Sequence, residues 1–100
     1  MFAPDPNDTQ YLAVTSTSAK FTTAMEPGFV YRFAANVDCW VKITTTGGAA
    51  ATNTADNILY LVGSQLWLAN PDTDGTTNAF VHVVEDIADG DATLTKYTGY

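Results

Sequence analysis

Residues 29–46, FVYRFAANVDCWVKITTT, constrain this chain more than any other stretch. In steps of two, Phe29, Tyr31, Phe33 and Ala35 fall on one side of an extended backbone, and after a break at Asn36 the apolar set resumes as Val37, Cys39, Val41 and Ile43. A period of two is the mark of a half-buried strand, and two such runs around a short polar break predict two strands of one hairpin. Opposite the second set lie Asp38, Trp40, Lys42 and Thr44. That face is suited to water except for the indole, which makes Trp40 the first functional clue.

The remaining segments extend the same pattern. Residues 1–9 hold Pro4 and Pro6 among Asp5, Asn7 and Asp8 and read as an extended N-terminal arm, with Phe2 available to dock on a neighbour. The folded domain is expected over residues 10–100. A strand is expected over 10–17, with Leu12 and Val14 opposed to Tyr11 and Ala13, and a second over 20–25 before the turn at Glu26, Pro27 and Gly28. Residues 47–57 are rich in Gly, Ala and Thr and read as a loop; neither a helix pattern nor a Lys follows the glycine pair, which excludes a phosphate loop.

Residues 58–62, ILYLV, are apolar throughout, as in a strand buried on both faces or one whose second face meets another subunit. In QLWLA, Leu66 and Leu68 alternate with Gln65, Trp67 and Ala69, so Trp67 repeats the question posed by Trp40. Strands over 79–86 and 92–97 flank an acidic turn, and Tyr97 and Tyr100 add aromatic surface. No stretch has the three-and-four spacing of an amphipathic helix. About eight short strands with turn signals between them predict an all-β, antiparallel β-sandwich, jelly-roll-like.

One hundred residues form one domain with a thin core. Only 15% of residues are charged while 46% are apolar, so part of the apolar content is expected to face a partner. A net charge of −7 spread through the loops repels phosphate and argues against nucleic acid. No run approaches the roughly 20 apolar residues of a membrane-spanning helix. The N-terminus has neither the basic start nor the apolar stretch of a secretory signal, which predicts a chain made and kept in a cytoplasm unless something larger carries it out.

Reactive side chains are scarce. Cys39 is the only cysteine and falls on an inward position, as a small core hydrophobe does. His82 is the only histidine, placed in mid-strand with Phe80 and Val84 on its own side, so packing is its expected role. Ser16, Ser18 and Ser64 sit in no acyl-transfer motif. Asn70, Asp72, Asp74 and Gly75 begin like a calcium loop, but the twelfth place holds Val81 instead of a bidentate carboxylate; a β-turn explains the series better, and the same holds for Asp86, Asp89 and Asp91. Neither an enzyme nor a cofactor or metal is expected. Tyr11, Trp40, Trp67, Tyr97 and Tyr100, with Phe2 on the arm, are the candidate contact residues, suited to a protein interface or to stacking on sugar rings.

Over residues 28–96 the chain resembles the small β-sandwich virion proteins of tailed bacteriophages, of the capsid decoration or cement type. Asp38, Cys39, Trp40, Val41, Lys42 and Ile43 match one characteristic strand, and Val81, Val83, Asp86, Asp89, Gly90 and Leu94 approximate the closing pattern. The chain departs from it in Asp91 after Gly90 and in Asn57 and Ile58 where Leu-Pro is usual. The resemblance implies a structural protein of the virion that binds the major capsid protein or other virion proteins and forms a homo-oligomer. The alternatives are a carbohydrate-binding module of a receptor-binding protein and a tail or neck adaptor.

Overall fold

A computed structural model describes the backbone of residues 2–45, 57–71 and 78–99, and the side chains of residues 9–45, 57–71 and 78–97. Its eight strands are β1 (Phe2–Val14), β2 (Ala19–Lys20), β3 (Val30–Ala35), β4 (Cys39–Thr44), β5 (Ile58–Tyr60), β6 (Leu66–Ala69), β7 (Phe80–Glu85) and β8 (Gly90–Gly99). Four antiparallel pairs nest inside one another: β1 with β8, β2 with β7, β3 with β6 and β4 with β5. The chain is thus a single long hairpin rolled up on itself. Further pairing of β3 with β8 and of β4 with β7 closes it into two four-stranded sheets, β1-β8-β3-β6 and β2-β7-β4-β5. That strand order is a jelly roll, an antiparallel β-sandwich of the expected class.

Residues of alternate parity from both sheets meet in the middle. Phe33 is fully buried and takes Phe21 and Tyr60 edge-on, with ring centroids 6.2 and 5.1 Å away and planes at 87° and 80°. This is the arrangement that aromatic quadrupoles favour. Val14, Val41, Val81, Val83 and Leu94 complete a dry centre, each at most 1% exposed.

The expected hairpin over residues 29–46 does not form. Its two strands lie in opposite sheets, β3 between β8 and β6 and β4 between β7 and β5. Residues 36–38 carry the chain across the sandwich, pinned where Asn36 N–H donates to the Asp91 carbonyl (3.1 Å), Asp91 N–H to Asn36 Oδ1 (2.8 Å) and Asp86 N–H to the Asp38 carbonyl (3.2 Å). Tyr31 and Phe33 therefore face Cys39 and Val41 across the core instead of sharing a side with them.

Other boundaries also differ. The strand expected over 20–25 shrinks to Ala19–Lys20 with one isolated bridge, Met25 to Ala79. Phe21 and Met25 are both buried while Thr23 between them is exposed, which breaks the alternation, and the Gln10 side chain holds the intervening loop by both backbone groups of Thr23 (2.9 and 3.0 Å). The first strand runs over Phe2–Val14 and so includes most of the segment read as an arm: Phe2, Ala3 and Pro4 lie opposite Gly99, Thr98 and Tyr97, and the register shifts between Pro4 and Thr9. The turn at Pro27 and Gly28 is present, with Gly28 at φ +87° where a side chain would be strained.

Candidate functional site: an apolar sheet edge

The four candidate residues whose side chains the structure describes, Tyr11, Trp40, Trp67 and Tyr97, do not converge on one site. Tyr11 and Trp67 lie on the outer face of the β1-β8-β3-β6 sheet, where cross-strand rows read Tyr11, Thr93, Ala34 and Thr9, Thr95, Arg32, Trp67. Trp67 meets Tyr97 at 5.0 Å and 67°. Phe2 opens β1 on the same sheet, described by its backbone alone, and Tyr100 lies outside the described residues. Trp40 is on the far side of the sandwich. Its Nε1 donates to Asp86 Oδ1 at 2.9 Å, which leans the indole toward β7 and its cross-strand partner Val84, only 4% exposed. Trp40 thus has a role within the domain, whereas Trp67 remains 46% exposed.

The reactive side chains are likewise absorbed by the fold. Cys39 is fully buried, and its thiol is pushed up to about 12 by burial and then by the charge of Asp38. His82 lies between Lys20 and Lys42 in one cross-strand row of the outer face. Its ring is 3% exposed, and Nε2 pairs with Thr44 Oγ1 at 2.8 Å. Burial, then Lys20 and Lys42, lower its pKa below the ordinary histidine value. Residues 47–56 of the Gly-rich loop and most of the calcium-like series, residues 72–77, lie outside the described residues. Among the described residues no three His, Cys, Asp or Glu side chains are placed to hold a metal ion, and no helix is long and apolar enough to cross a membrane.

What does assemble is a continuous apolar edge. Of the seven large hydrophobic side chains that are exposed among the described residues, five fall within ten residues: Ile58, Leu59, Leu61, Val62 and Trp67. Among the described residues β5 pairs only with β4 and so ends its sheet, and β6 pairs only with β3 and ends the other; residues 61–65 span the side of the sandwich between them. Of residues 58–62 only Tyr60 is buried, which overturns the reading of ILYLV as a strand covered on both faces.

The edge is held in place by hydrogen bonds that leave its apolar groups outward. The Tyr60 hydroxyl donates to the Ser64 carbonyl (3.1 Å), Ser64 N–H closes a turn on the Leu61 carbonyl (3.0 Å), and Val62 N–H donates to Asp38 Oδ1 (2.8 Å). Gly63 at φ +89° completes the turn, and Leu61 and Val62 are left 51% and 54% exposed at a place where polar residues are usual. Residues 57–71 contain no charged side chain. The opposite side of the sandwich is built differently. There β1 carries Pro4 and Pro6, which lack N–H groups, and β2 is two residues long with Lys20 on it, all features that block strand addition.

Alternation revealed which residues of 58–69 are apolar, but it took the sheet order to show that they line an edge. Against known proteins, no family model, no curated sequence and no solved structure matches the chain.

Proposed function

We propose that this chain is a structural component of a tailed-phage particle, a small jelly-roll subunit that binds the outer surface of the capsid and associates with its own copies. The observation that carries the reading is the edge at β5 and β6: five exposed large apolar side chains within ten residues, on a segment with no charged side chain of its own, in a chain of net charge −7. Exposed apolar patches of this kind mark protein contacts. The resemblance over residues 28–96 supplies the particle, and the structural roles of Cys39 and His82 support a building block over a catalyst. Many weak contacts on a repeating shell would add up through effective concentration. The test is a copy count by quantitative mass spectrometry of virions whose genome encodes the chain. Capsid decoration requires on the order of hundreds of copies, set by the symmetry of the shell. A count of about six or twelve moves the protein to the tail or neck, and its absence from the particle refutes the reading.

A second reading is supported by the other outer face. Tyr11, Trp67 and Tyr97 stand on a sheet whose intervening positions are Thr93, Thr95, Ala34 and the exposed Arg32, a polar floor between aromatic rings of the kind on which sugar rings stack. A glycan array distinguishes the two. A carbohydrate-binding module gives a signal that Trp67→Ala removes, and a decoration protein gives none.

A further inference from the structure

We infer that two copies of the chain join β5 to β5 about a two-fold axis, so that the β2-β7-β4-β5 sheets of both become one eight-stranded sheet. The inference rests on the reading of the chain as a building block and gives its self-contact a place and a symmetry.

Three observations select a second copy as the occupant. First, charge: residues 57–71 carry no charged side chain within a chain of net charge −7, and the carboxylate bonded to this margin, Asp38, accepts from Val62 N–H at 2.8 Å, so two identical acidic molecules can meet here with little opposed charge. A basic partner would be drawn elsewhere on the surface. Second, strand chemistry: β5 has one neighbour among the described residues, and an edge strand offers its second row of N–H and C=O groups to another chain. The prolines of β1, which lack N–H groups, and Lys20 on β2 make the other side a poor acceptor, which disfavours head-to-tail growth and leaves the self-complementary, closed pairing. Third, area: the exposed parts of Ile58, Leu59, Leu61 and Val62 amount to roughly 300 Å² of apolar surface per copy, the scale at which a patch marks an interface. For the pair, that lies below the roughly 1,200 Å² of a standard complex, in the range of weak, concentration-dependent contacts.

Pairing about a two-fold axis places Leu59 of one copy near Leu59 of the other, because antiparallel partners exchange positions across the axis. Leu59 and Leu61 are 42% and 51% exposed, so they can be altered without opening the core.

Sedimentation velocity between about 1 µM and about 100 µM is the first measurement, a range that brackets moderate self-association. A concentration-dependent dimer is expected, with the dissociation constant raised at least about tenfold by Leu61→Lys and unchanged by Tyr11→Lys on the opposite margin. Circular dichroism verifies that both variants stay folded. As a second readout, Leu59→Cys should form a disulfide-linked dimer on mild oxidation, since Cys39 is buried, whereas Tyr11→Cys should not. A monomer throughout the range, or a dimer broken by Tyr11→Lys and indifferent to Leu61→Lys, overturns the pairing. The copy count in virions is independent of both results: a monomer abundant in particles refutes the two-fold contact alone, and a dimer absent from particles refutes the phage reading alone.

Discussion

Cys39 and His82 illustrate how a reactive side chain is made inert by position. Burial raises the Cys39 thiol to about 12, with Asp38 adding to the effect, so the thiolate that would react is almost absent near neutrality. Ellman's reagent at pH 8 should leave the folded chain untouched and titrate one thiol once denaturant is added; prompt labelling of native protein would contradict the burial. His82 gives the molecule a pH dependence of definite sign. Its folded pKa lies below 6.5 because of burial first and then Lys20 and Lys42, so between the two values the unfolded chain binds the extra proton. The stability it contributes is complete above the unfolded value and drains away as the pH falls through 6.5 toward the folded value. Glu85 works in the opposite sense. Its hydrogen bond with Asp89, then burial and the charge of Asp89, raise its pKa above 4.5, so its contribution is present in acid and lost as the pH rises through the folded value. His82→Gln retains a partner for Thr44 Oγ1 and removes the titration, so its melting temperature should depend less on pH between about 5 and 8 than that of the parent. Parallel curves would assign the acid sensitivity to another group.

At the scale of elements the crossing at residues 36–38 governs the topology, and Gly90 makes room for it. A Cβ at Gly90 would collide with Asn36 Oδ1 and would come within 2.5 and 2.6 Å of the Val37 methyl groups, which are the same residues that carry the chain between sheets. Gly90→Ala should therefore lower stability by about 1–3 kcal/mol, the usual penalty for overpacking, seen as an earlier midpoint in urea with an unchanged slope. An unaltered midpoint would show that the crossing relaxes freely. The same crossing explains what could be read in the sequence and what could not. Alternation and apolar runs outline eight strands, with the first expected from residue 10 instead of Phe2 and the second over 20–25 instead of Ala19–Lys20, and alternation marks the inward sets of β3 and β4 residue by residue. It could not identify their partners, because an apolar face looks the same whether it continues in one sheet or opposes another across a core. Tyr31 and Phe33 before the break, with Cys39 and Val41 after it, satisfy both arrangements. Only the nesting of β1 with β8 and β2 with β7 decides between them, and that pairing joins segments too distant for local pattern to connect. Edges were hidden for the same reason. ILYLV is equally apolar as a central or a marginal strand, and Trp40 and Trp67 were alike in sequence until Asp86 was found beside one of them.

For the whole molecule the decisive balance is between an apolar margin and a net charge of −7. Bringing two such bodies together joins neutral surfaces but also doubles the charge of one compact particle, and the repulsion extends over a Debye length of about 30 Å at 0.01 M salt. At about 0.15 M that length falls to about 8 Å, shorter than the 21 Å smallest extent of the domain, so most of the repulsion between the two acidic surfaces is screened. Burial of Ile58, Leu59, Leu61 and Val62 does not depend on ionic attraction and is not weakened by the added salt. The dimer should therefore tighten as sodium chloride rises from about 0.01 M to about 0.15 M, with its dissociation constant falling severalfold. A contact built on ion pairs has the opposite sign, because screening removes the attraction that holds it. Sedimentation velocity at the two salt concentrations reads the sign directly: loosening with salt would place the contact on charged surface, away from the β5 edge.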